Sequence, residues 1–374
     1  MFYCPIAAAD PNKIAVVTSK SALSYRELNE QIEACSILIG EVLPDKGSIE
    51  TLVRLFALLR QGHPIHFNRP LLALSPEKRT TIAADTLLYL RTSGTTGAPK
   101  EVAWPFKAWK ENIENQLESY PSFKGASHRA KLGWSRMGGL SALMRPLFSE
   151  GTAVLDETSL VDFESCVPTQ LIRLLEKTTL LLSKNILIGG AKYPDSVIKS
   201  VQERGSIPVP IYSTTELGTC MIEGKPVKGV NVLLQENGTL AVQKKSISKG
   251  LLIDKNGYYQ TQDIAIITAS GWKIIGRGDR VINTGGEKVL LHYIEDTVQK
   301  IENDLVPFAF ATPDPIWGEA LCLAYARKAP LSHEELLIKL KEQLPRYMIP
   351  KKIIHLPPDA PAKPPLSYLQ QLAD

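Results

Sequence analysis

The sequence lacks the features that define several large classes of protein. Its 374 residues contain no run of 18 apolar residues and no basic and then apolar N-terminal segment, so neither a membrane helix nor a signal peptide is expected. Five scattered cysteines include no C-x-x-C pair, which argues against a disulfide framework and a structural zinc site. We therefore expect a cytoplasmic protein with reduced cysteines.

Strong charge of either sign is also missing. The net charge is +4, and no block of five or more basic residues occurs. Charge this weak argues against nucleic acid and against a membrane surface as partners. The hydrophobic content of 44% is ordinary for a globular protein, and 374 residues are more than one typical core needs. We expect two domains and a small ligand that could be anionic.

Apolar patterns predict helices that alternate with strands. A capping box at Ser24 and Glu27 opens a helix whose apolar face extends to Val42, and a second helix is predicted from about 50 to 61. Five further segments follow: a strand at 152–155, a helix at 168–183, a strand at 185–188, a helix at 194–204 and a strand at 209–212. This order indicates a parallel sheet covered by helices, with ligands beyond the carboxyl ends of its strands.

The pattern changes to shorter elements near residue 278. Strands are predicted at 272–275, 307–311 and 321–326, helices at 291–301 and 332–344, and an irregular proline-rich segment at 356–365. The predicted fold class is therefore α/β. It comprises a large N-terminal domain over residues 1–278, with parallel-rich sheets, and a small C-terminal α+β domain over residues 279–374.

The most informative segment follows the apolar, strand-like run at 86–90. It consists of Thr92, Ser93, Gly94, Thr95, Thr96, Gly97, Ala98, Pro99 and Lys100. Hydroxyls, glycines and a lysine suit a loop that binds phosphates. It is not a Walker A loop, because Gly97 is not followed by Lys and then Ser or Thr. On composition alone, an ordinary surface turn is the alternative.

This segment resembles the phosphate loop of the adenylate-forming superfamily of acyl-CoA synthetases, luciferases and peptide-synthetase adenylation domains. Further segments resemble that superfamily in the expected order: Gly189 to Lys192, Tyr212 to Glu216, Gln260 to Asp263, Gly276 to Arg280, and Gly285 to Glu287. The resemblance implies a mobile C-terminal lid and a site between the two domains. In isolation, the Tyr212 segment would be a capped helix start, and the glycine-rich segments would be hairpins with solvated charges.

The resemblance assigns a role to each matching residue. Thr92, Ser93, Gly94, Thr95 and Gly97 would bind ATP, with Thr96 and Lys100 catalytic. Gly190 and Ala191 would pass along the adenine, Tyr212 would stack on it, and Thr215 would bond a phosphate. Glu216 would be catalytic by holding Mg²⁺, which prefers carboxylate oxygens. Asp263 would bind both ribose hydroxyls, Arg277 would touch the nucleotide, Asp279 would be the hinge, and Gly285, Gly286 and Glu287 would bind CoA.

A catalytic lysine near the C-terminus is implied by the same resemblance. Family members carry it within a Gly-Lys pair, after a proline-rich stretch and six residues before a leucine. Lys363 has that spacing to Leu369, although Ala362 replaces the glycine. Lys351 and Lys352 are competing positions, and a merely solvated Lys363 is a further alternative.

A narrower resemblance concerns the acid that would react. The segments from Gly138 to Arg145, Val167 to Leu175 and Ile186 to Ala191 look like those of the o-succinylbenzoate:CoA ligases of menaquinone biosynthesis. By that resemblance Arg136, Gly138, Ser141 and Ser213 would contact the acid. Arg136 and Ser213 depart from the family pattern. Arg136 could pair with a second carboxylate of the acid or could point to solvent.

The resemblance implies an ATP-dependent acid:CoA ligase, with o-succinylbenzoate as the expected acid. ATP, Mg²⁺ and CoA would be its cofactors and a small carboxylic acid its partner, without nucleic acid or membrane, while a homodimer stays open. One alternative is a ligase or carrier-loading enzyme of other acid specificity. Another is a non-catalytic nucleotide-binding paralogue, because Ser213, Gln262 and Ala362 stand where motif glycines are expected.

Overall fold

The structure is a computed structural model. It describes residues 5–38, 41–45, 47–68, 86–92, 101–130, 132–157, 159–181, 183–191, 193, 195–278, 280–302, 305–326, 332–361 and 364–373. Within these residues the chain forms ten α-helices and 22 strands.

The helices are α1 (Pro5–Ala8), α2 (Tyr25–Ala34), α3 (Ile49–Arg60), α4 (Phe106–Ser119), α5 (Met137–Leu147), α6 (Pro168–Lys177), α7 (Asp195–Glu203), α8 (Leu291–Ile301), α9 (His333–Gln343) and α10 (Leu366–Ala373). The first eleven strands are β1 (Ile14–Val17), β2 (Ala22–Ser24), β3 (Val42–Leu43), β4 (His66–Phe67), β5 (Thr86–Arg91), β6 (Glu101–Pro105), β7 (Ser127–Arg129), β8 (Thr152–Val154), β9 (Val161–Cys166), β10 (Ser183–Ile188) and β11 (Ile207–Thr214). The others are β12 (Gly218–Ile222), β13 (Lys225–Pro226), β14 (Val230–Leu234), β15 (Thr239–Lys244), β16 (Tyr258–Thr268), β17 (Gly271–Arg277), β18 (Val281–Thr284), β19 (Glu287–Leu290), β20 (Val306–Asp314), β21 (Gly318–Ala326) and β22 (Lys352–His355).

The largest sheet has nine strands in the order β13-β12-β11-β10-β9-β7-β8-β1-β2. Its six inner strands, from β11 to β1, all pair in parallel, and antiparallel strands form both edges. Helices α6 and α7 connect β9 to β10 and β10 to β11, as crossovers between parallel strands require. The predicted α/β class with a parallel-rich sheet is confirmed.

Two neighbouring parallel strands, β10 and β11, lead directly into predicted site segments, and β9 lies beside them. β9 ends at Cys166, β10 ends at Ile188 before the Gly189 turn, and β11 ends at Thr214. Because these strands are parallel, their ends gather at one edge of the sheet.

Two predicted helices are too long, and many strands were not predicted, among them β9 of the large sheet. Helix α2 ends at Ala34, because Val42 and Leu43 pair with His66–Phe67 in a two-stranded parallel sheet. Helix α6 ends at Lys177 rather than at Ser183, which begins β10 and pairs with Val161 of β9. Strand pairing overrides the helical period in both places. β9 itself was not predicted, although both of its faces are largely buried.

A second, antiparallel sheet has the strand order β14-β15-β16-β17. The predicted strand at 272–275 lies in its edge strand β17 and not among the C-terminal elements. The third sheet, β19-β18-β21-β20 with β22 paired to β21, contains the remaining predicted C-terminal strands. Helices α8 and α9 agree with their predicted positions, and the described residues of the proline-rich segment are irregular.

The apolar cores on the two sides of Gly278 are separate. One large cluster includes buried side chains from Ile6 to Ala265, and a smaller one lies between α6, α7 and the sheet. Two clusters in the C-terminal part begin at Ile282 and Phe310. No described cluster contains residues from both sides, as two domains would require. The boundary between residues 278 and 279 stays a prediction.

No helix among the described residues combines the length and the apolar character needed to cross a membrane.

A buried imidazole lies within the core of the large sheet. His128 of β7 is 1% exposed, stacks on Phe163 with ring centroids 4.9 Å apart, and meets the edge of Phe123. Burial lowers the pKa of His128 well below 6.5, and the positive charge of the buried Arg145 lowers it further. The folded chain therefore holds a neutral imidazole at this position.

Protonation of His128 should destabilise the fold in mild acid. Its pKa is lower in the folded chain than the unfolded value of 6.5, so the unfolded chain binds the proton first. The stability present above that pH is lost as the pH falls towards the folded pKa. We expect His128→Phe to remove a slope of up to about 1.4 kcal/mol per pH unit below pH ~6.5, measured by urea unfolding.

Phe163→Leu is the matched control, because it disturbs the same stack and keeps the imidazole. It should lower the free energy of unfolding by about 1 to 2 kcal/mol at every pH and retain the wild-type slope. A His128→Phe variant with the wild-type pH dependence would contradict this account.

Candidate active site

The segment from Tyr212 to Glu216 is the end of strand β11 and the turn that joins it to β12. The two strands pair antiparallel, with Thr214 opposite Gly218, and the Leu217 amide donates to the Thr214 hydroxyl at 3.1 Å. Gly218 has a φ of +69°, and a Cβ there would lie 2.6 Å from the Asn112 Oδ1. The alternative of a capped helix start is therefore wrong. Thr215 and Glu216 are half-buried in this turn.

Asp263 lies where the antiparallel sheet meets the large sheet. It is 8% exposed and pairs across β16 and β17 with Arg277, whose Nη1 is 3.4 Å from the Asp263 Oδ1. The Tyr212 hydroxyl, from the large sheet, donates to the Asp263 Oδ2 at 2.6 Å. The structure therefore brings Tyr212 of the large sheet to a pair of residues, Asp263 and Arg277, in the antiparallel sheet.

The Asp263 carboxylate can accept further hydrogen bonds. An ionised carboxylate has about four lone-pair sites, of which Tyr212 and Arg277 use two. Burial, followed by the negative charge of Asp263, raises the pKa of Tyr212 well above 10, so its hydroxyl remains a donor. Two neighbouring hydroxyls of a ligand could occupy the remaining sites.

Glu216 belongs to the same electrostatic environment. The pKa of Tyr259 is raised by burial and then by the charge of Glu216, lowered by Arg277 and raised by Asp263. The Glu216 carboxylate forms no ion pair with a described residue. Within the described residues no group of three potential metal ligands occurs. A single free carboxylate fits Mg²⁺, which is commonly held by one carboxylate and substrate phosphates.

The predicted phosphate loop connects two paired strands. Strands β5 and β6 are antiparallel, and Arg91 pairs with Glu101 on either side of it. The half-buried Thr92 follows β5, whereas Ser93, Gly94, Thr95, Thr96, Gly97 and Lys100 lie outside the described residues. The indole Nε1 of the buried Trp104 on β6 donates to the Thr215 carbonyl at 2.8 Å. The hairpin is thereby attached to the Glu216 turn.

The Gly189–Ala191 turn lies beside β11. A Cβ on Gly189 would be 2.9 Å from the Ile211 carbonyl oxygen, so this close approach requires glycine. Gly190 has a φ of +85°, and both Gly190 and Ala191 are exposed. The turn therefore runs next to Ile211, the residue that precedes Tyr212 on β11.

The residues predicted to contact the acid lie in different environments. Arg136 is exposed and immediately precedes α5, and Gly138 is exposed in the first turn of that helix. Ser141 is 3% exposed, and its hydroxyl donates to the Met137 sulfur at 3.6 Å. Ser213 is half-buried on β11 opposite Thr219. The exposed position of Arg136 corresponds to the solvent-facing alternative.

The predicted CoA segment is a tight hairpin. Gly285 and Gly286 form the two-residue turn between β18 and β19, with φ of +61° and +87°, and the exposed Glu287 begins β19. Positive φ at both positions is the type I′ geometry that favours glycine. The Gly285 amide donates to the Trp317 carbonyl at 2.8 Å. The backbone of this segment is thus the hairpin of the alternative interpretation, and the role of the segment in CoA binding stays a prediction.

Lys363 and Asp279 lie outside the described residues, but the surroundings of their competitors are defined. Lys351 lies over the Trp317 ring, 4.3 Å from its centroid, and Lys352 donates to the Ala373 carbonyl. Both competing lysines are therefore engaged in contacts within the C-terminal part.

Sequence reasoning missed two buried side chains that hold the site together, Trp104 and Lys244. The Lys244 ammonium donates to the Leu217 and Thr219 carbonyls, at 2.9 and 2.8 Å. No sequence motif indicates these contacts, because each acceptor is a backbone carbonyl at least 25 residues away in the chain. The sequence feature that could have drawn attention to Lys244 is its position at the end of an apolar strand.

Comparison with known proteins gives distant relatives and closely matching folds. No protein-family model matches the chain. It is 24% identical over 360 residues to a peroxisomal trans-cinnamate:CoA ligase of Petunia hybrida, covering 79% of this chain and 62% of that protein. It is 26% identical over 313 residues to a 2-succinylbenzoate–CoA ligase of Lactococcus lactis, covering 73% of this chain and 68% of that protein. The chain thus spans about two thirds of the length of these relatives.

Two solved structures match almost the whole chain. A variant of E. coli MenE with bound OSB-AMS superimposes with a TM-score of 0.82 at 20% identity, covering 100% of this chain and 99% of that one. O-succinylbenzoate coenzyme A synthetase from Bacillus subtilis, in complex with ATP and magnesium ion, has a TM-score of 0.77 at 20% identity, covering 99% and 98%.

The chain therefore has the fold of the adenylate-forming enzymes and, within that superfamily, resembles the o-succinylbenzoate:CoA ligases.

Proposed function

We propose that this chain is an ATP-dependent acid:CoA ligase that converts a carboxylic acid to an acyl-adenylate and then to a CoA thioester. The observation that carries the proposal is the Asp263 carboxylate, held between Tyr212 and Arg277 from two different sheets. This arrangement fits a ribose, because the carboxylate retains acceptor sites for two adjacent hydroxyls. In this proposal the Gly189–Ala191 turn and the Tyr212 ring would contact the adenine, and Glu216 would lie towards the phosphates.

In the first half-reaction, an oxygen of the acid would bond to the α-phosphorus of ATP while the bond to pyrophosphate breaks. Glu216 would hold Mg²⁺, which when bound neutralises charge on the phosphate oxygens. Thr215, the loop from Thr92 to Lys100 and Lys363 would donate to the phosphates, where negative charge grows. The contact from Trp104 to the Thr215 carbonyl and the β5–β6 pairing support this assignment, because they fix the strands on either side of that segment to the Thr215 turn.

In the second half-reaction, the sulfur of CoA would bond to the acyl carbon while the bond between the acyl carbon and AMP breaks. The thiol proton would leave to solvent. Lys363 is no longer needed at this step. A rotation of the C-terminal domain would replace it with the Gly285–Gly286 hairpin, whose exposed turn could reach pantetheine. Such domain alternation lets one site perform two steps.

The contacts on either side of Asp279 support its role as the hinge between domains 1–278 and 279–374. The Gly278 amide donates to the Gln262 carbonyl at 2.7 Å, on the side of the antiparallel sheet. Arg280 forms a bidentate pair with Glu295 of α8, at 2.8 and 2.9 Å, on the side of the C-terminal part. Rigid attachment before and after Asp279 concentrates a rotation at that residue.

The acid is proposed to be o-succinylbenzoate, and the reaction is proposed to occur in the cytoplasm. Likeness to ligases of this acid supports the choice. A second candidate is a ligase specific for another acid. The comparable sequence identity to a cinnamate ligase and the exposure of Arg136 favour this candidate. A homodimer remains open.

Lys363→Ala should abolish the acid-dependent exchange of pyrophosphate into ATP and spare thioester formation from supplied acyl-AMP. The ammonium is proposed to act only while pyrophosphate departs. The matched control is Lys351→Ala, since that lysine contacts Trp317 instead. Wild-type exchange by Lys363→Ala would refute the assignment, and loss of exchange in Lys351→Ala alone would transfer the role.

Arg136→Met should identify the class of acid. If Arg136 pairs with a second carboxylate, the substitution should raise the KM for o-succinylbenzoate by roughly ten- to hundredfold, because a charge-assisted hydrogen bond is lost. The KM for a monocarboxylic aromatic acid should not change. Thioester formation is measured over a panel of acids, with the exposed Arg346→Met as the control. If the wild type, Arg136→Met and Arg346→Met had equal KM values for o-succinylbenzoate, the result would point to another acid.

Asp263→Asn should weaken MgATP binding by roughly ten- to hundredfold, because an amide cannot accept two ribose hydroxyls while facing Tyr212 and Arg277. Isothermal titration calorimetry measures the affinity. Asp359→Asn, at an exposed turn, is the control and should match the wild type. Undiminished binding by Asp263→Asn would contradict the proposed nucleotide site.

A further inference from the structure

Lys244, the last residue of β15, is a lysine in an unusual environment. It is 7% exposed, and its ammonium donates to the Asn112 Oδ1 at 2.6 Å, the Leu217 carbonyl at 2.9 Å and the Thr219 carbonyl at 2.8 Å. All three donors of the ammonium are therefore used, and none of the three acceptors is a carboxylate.

These bonds complete the support of the turn that carries Thr215 and Glu216. The Trp104 indole donates to the Thr215 carbonyl, and the Ser248 amide donates to the Glu216 carbonyl at 3.0 Å. The Lys244 ammonium donates to the Leu217 and Thr219 carbonyls, and the Cys220 thiol donates to the Gly218 carbonyl between them. Every carbonyl from 215 to 219 thus has a donor, so the backbone of the turn is held along its whole length.

Lys244 also connects two sheets. It lies on β15, which pairs with the strand carrying Asp263, whereas its carbonyl acceptors lie on the hairpin of the large sheet. Its third acceptor, Asn112 of α4, is fully buried and lies against Gly218. The ammonium is therefore at the junction of the proposed ribose side and the proposed phosphate side of the site.

The stability of the fold alone does not account for a lysine here. Burial lowers the pKa of Lys244 to about 8, which shows that the surroundings disfavour its charge. Buried charges can often be replaced by apolar side chains of similar volume without loss of stability. What an apolar side chain could not do is hold the Leu217 and Thr219 carbonyls.

We propose that Lys244 is a positioning residue, which joins the sheet carrying Asp263 to the turn carrying Thr215 and Glu216 and so sets the affinity of the site for MgATP. The inference rests on the proposed function, because it takes that turn as the phosphate side of the nucleotide site. Lys244 acts through the turn and does not itself contact the nucleotide.

The test compares Lys244→Met with Lys245→Met. Methionine has a similar length and no donor, and Lys245 is the exposed neighbouring lysine. Lys244→Met should raise the Kd for MgATP by roughly ten- to hundredfold, because bonds from a charged donor are lost, while Lys245→Met should match the wild type. The KM for the acid in Lys244→Met should stay unchanged at saturating MgATP. A purely structural lysine would not divide the effect between the two substrates in this way.

A folded Lys244→Met protein with the wild-type Kd for MgATP would overturn the proposal, and so would a higher KM for the acid alone. Should Lys244→Met fail to fold, Asn112→Leu provides the second variant. It keeps the side-chain shape and removes one of the three acceptors, so a rise in Kd of about threefold is expected and an unchanged Kd overturns the proposal.

Calorimetric MgATP binding separates this inference from the proposed function. A wild-type chain that binds MgATP but exchanges no pyrophosphate with any acid would contradict the ligase activity, and the Lys244 comparison would still decide the positioning role. A wild-type chain without measurable affinity for MgATP would overturn both.

Discussion

The hydrogen bond from the Tyr212 hydroxyl to the Asp263 carboxylate is the interaction on which the proposed site depends. It joins the end of a parallel strand in the large sheet to an antiparallel sheet that is far away in sequence. Asp263 is nearly buried, so its charge requires donors, and Tyr212 and Arg277 supply them. A site divided between two sheets stays in one geometry only if such bonds cross the junction.

Three further contacts serve the same junction from different directions. Trp104 attaches strand β6 to the Thr215 carbonyl, Lys244 attaches the antiparallel sheet to the carbonyls after Glu216, and Gly218 permits Asn112 to approach the turn. Trp104 and Lys244 each use a buried donor to satisfy backbone carbonyls that water cannot reach, and the missing side chain of Gly218 leaves room for Asn112. These contacts hold the turn through its backbone, and the side chains of Thr215 and Glu216 are half-buried.

The C-terminal part has an apolar core of its own. Its core is built from its own strands and helices, and Arg280 is fixed to Glu295 and to the Ala309 carbonyl within it. Its contacts to the rest of the chain include a hydrogen bond from Arg173 to the Ala360 carbonyl at 2.6 Å and the close packing of the His292 side chain on Gly276. A hydrogen bond of this kind can break and reform at little cost compared with an apolar core.

The sequence by itself determined the α/β class, most of the helices, a minority of the strands, and the segments gathered at the carboxyl edge of the sheet, because local period and turn chemistry carry that information. It did not determine that α2 stops at Ala34, that β9 is a strand, or that Lys244 holds the Glu216 turn. Strand pairing and burial decided these, since they depend on residues far away in the chain. The identity of the acid lies in the same category, because Arg136 can be assigned only once its surroundings are known.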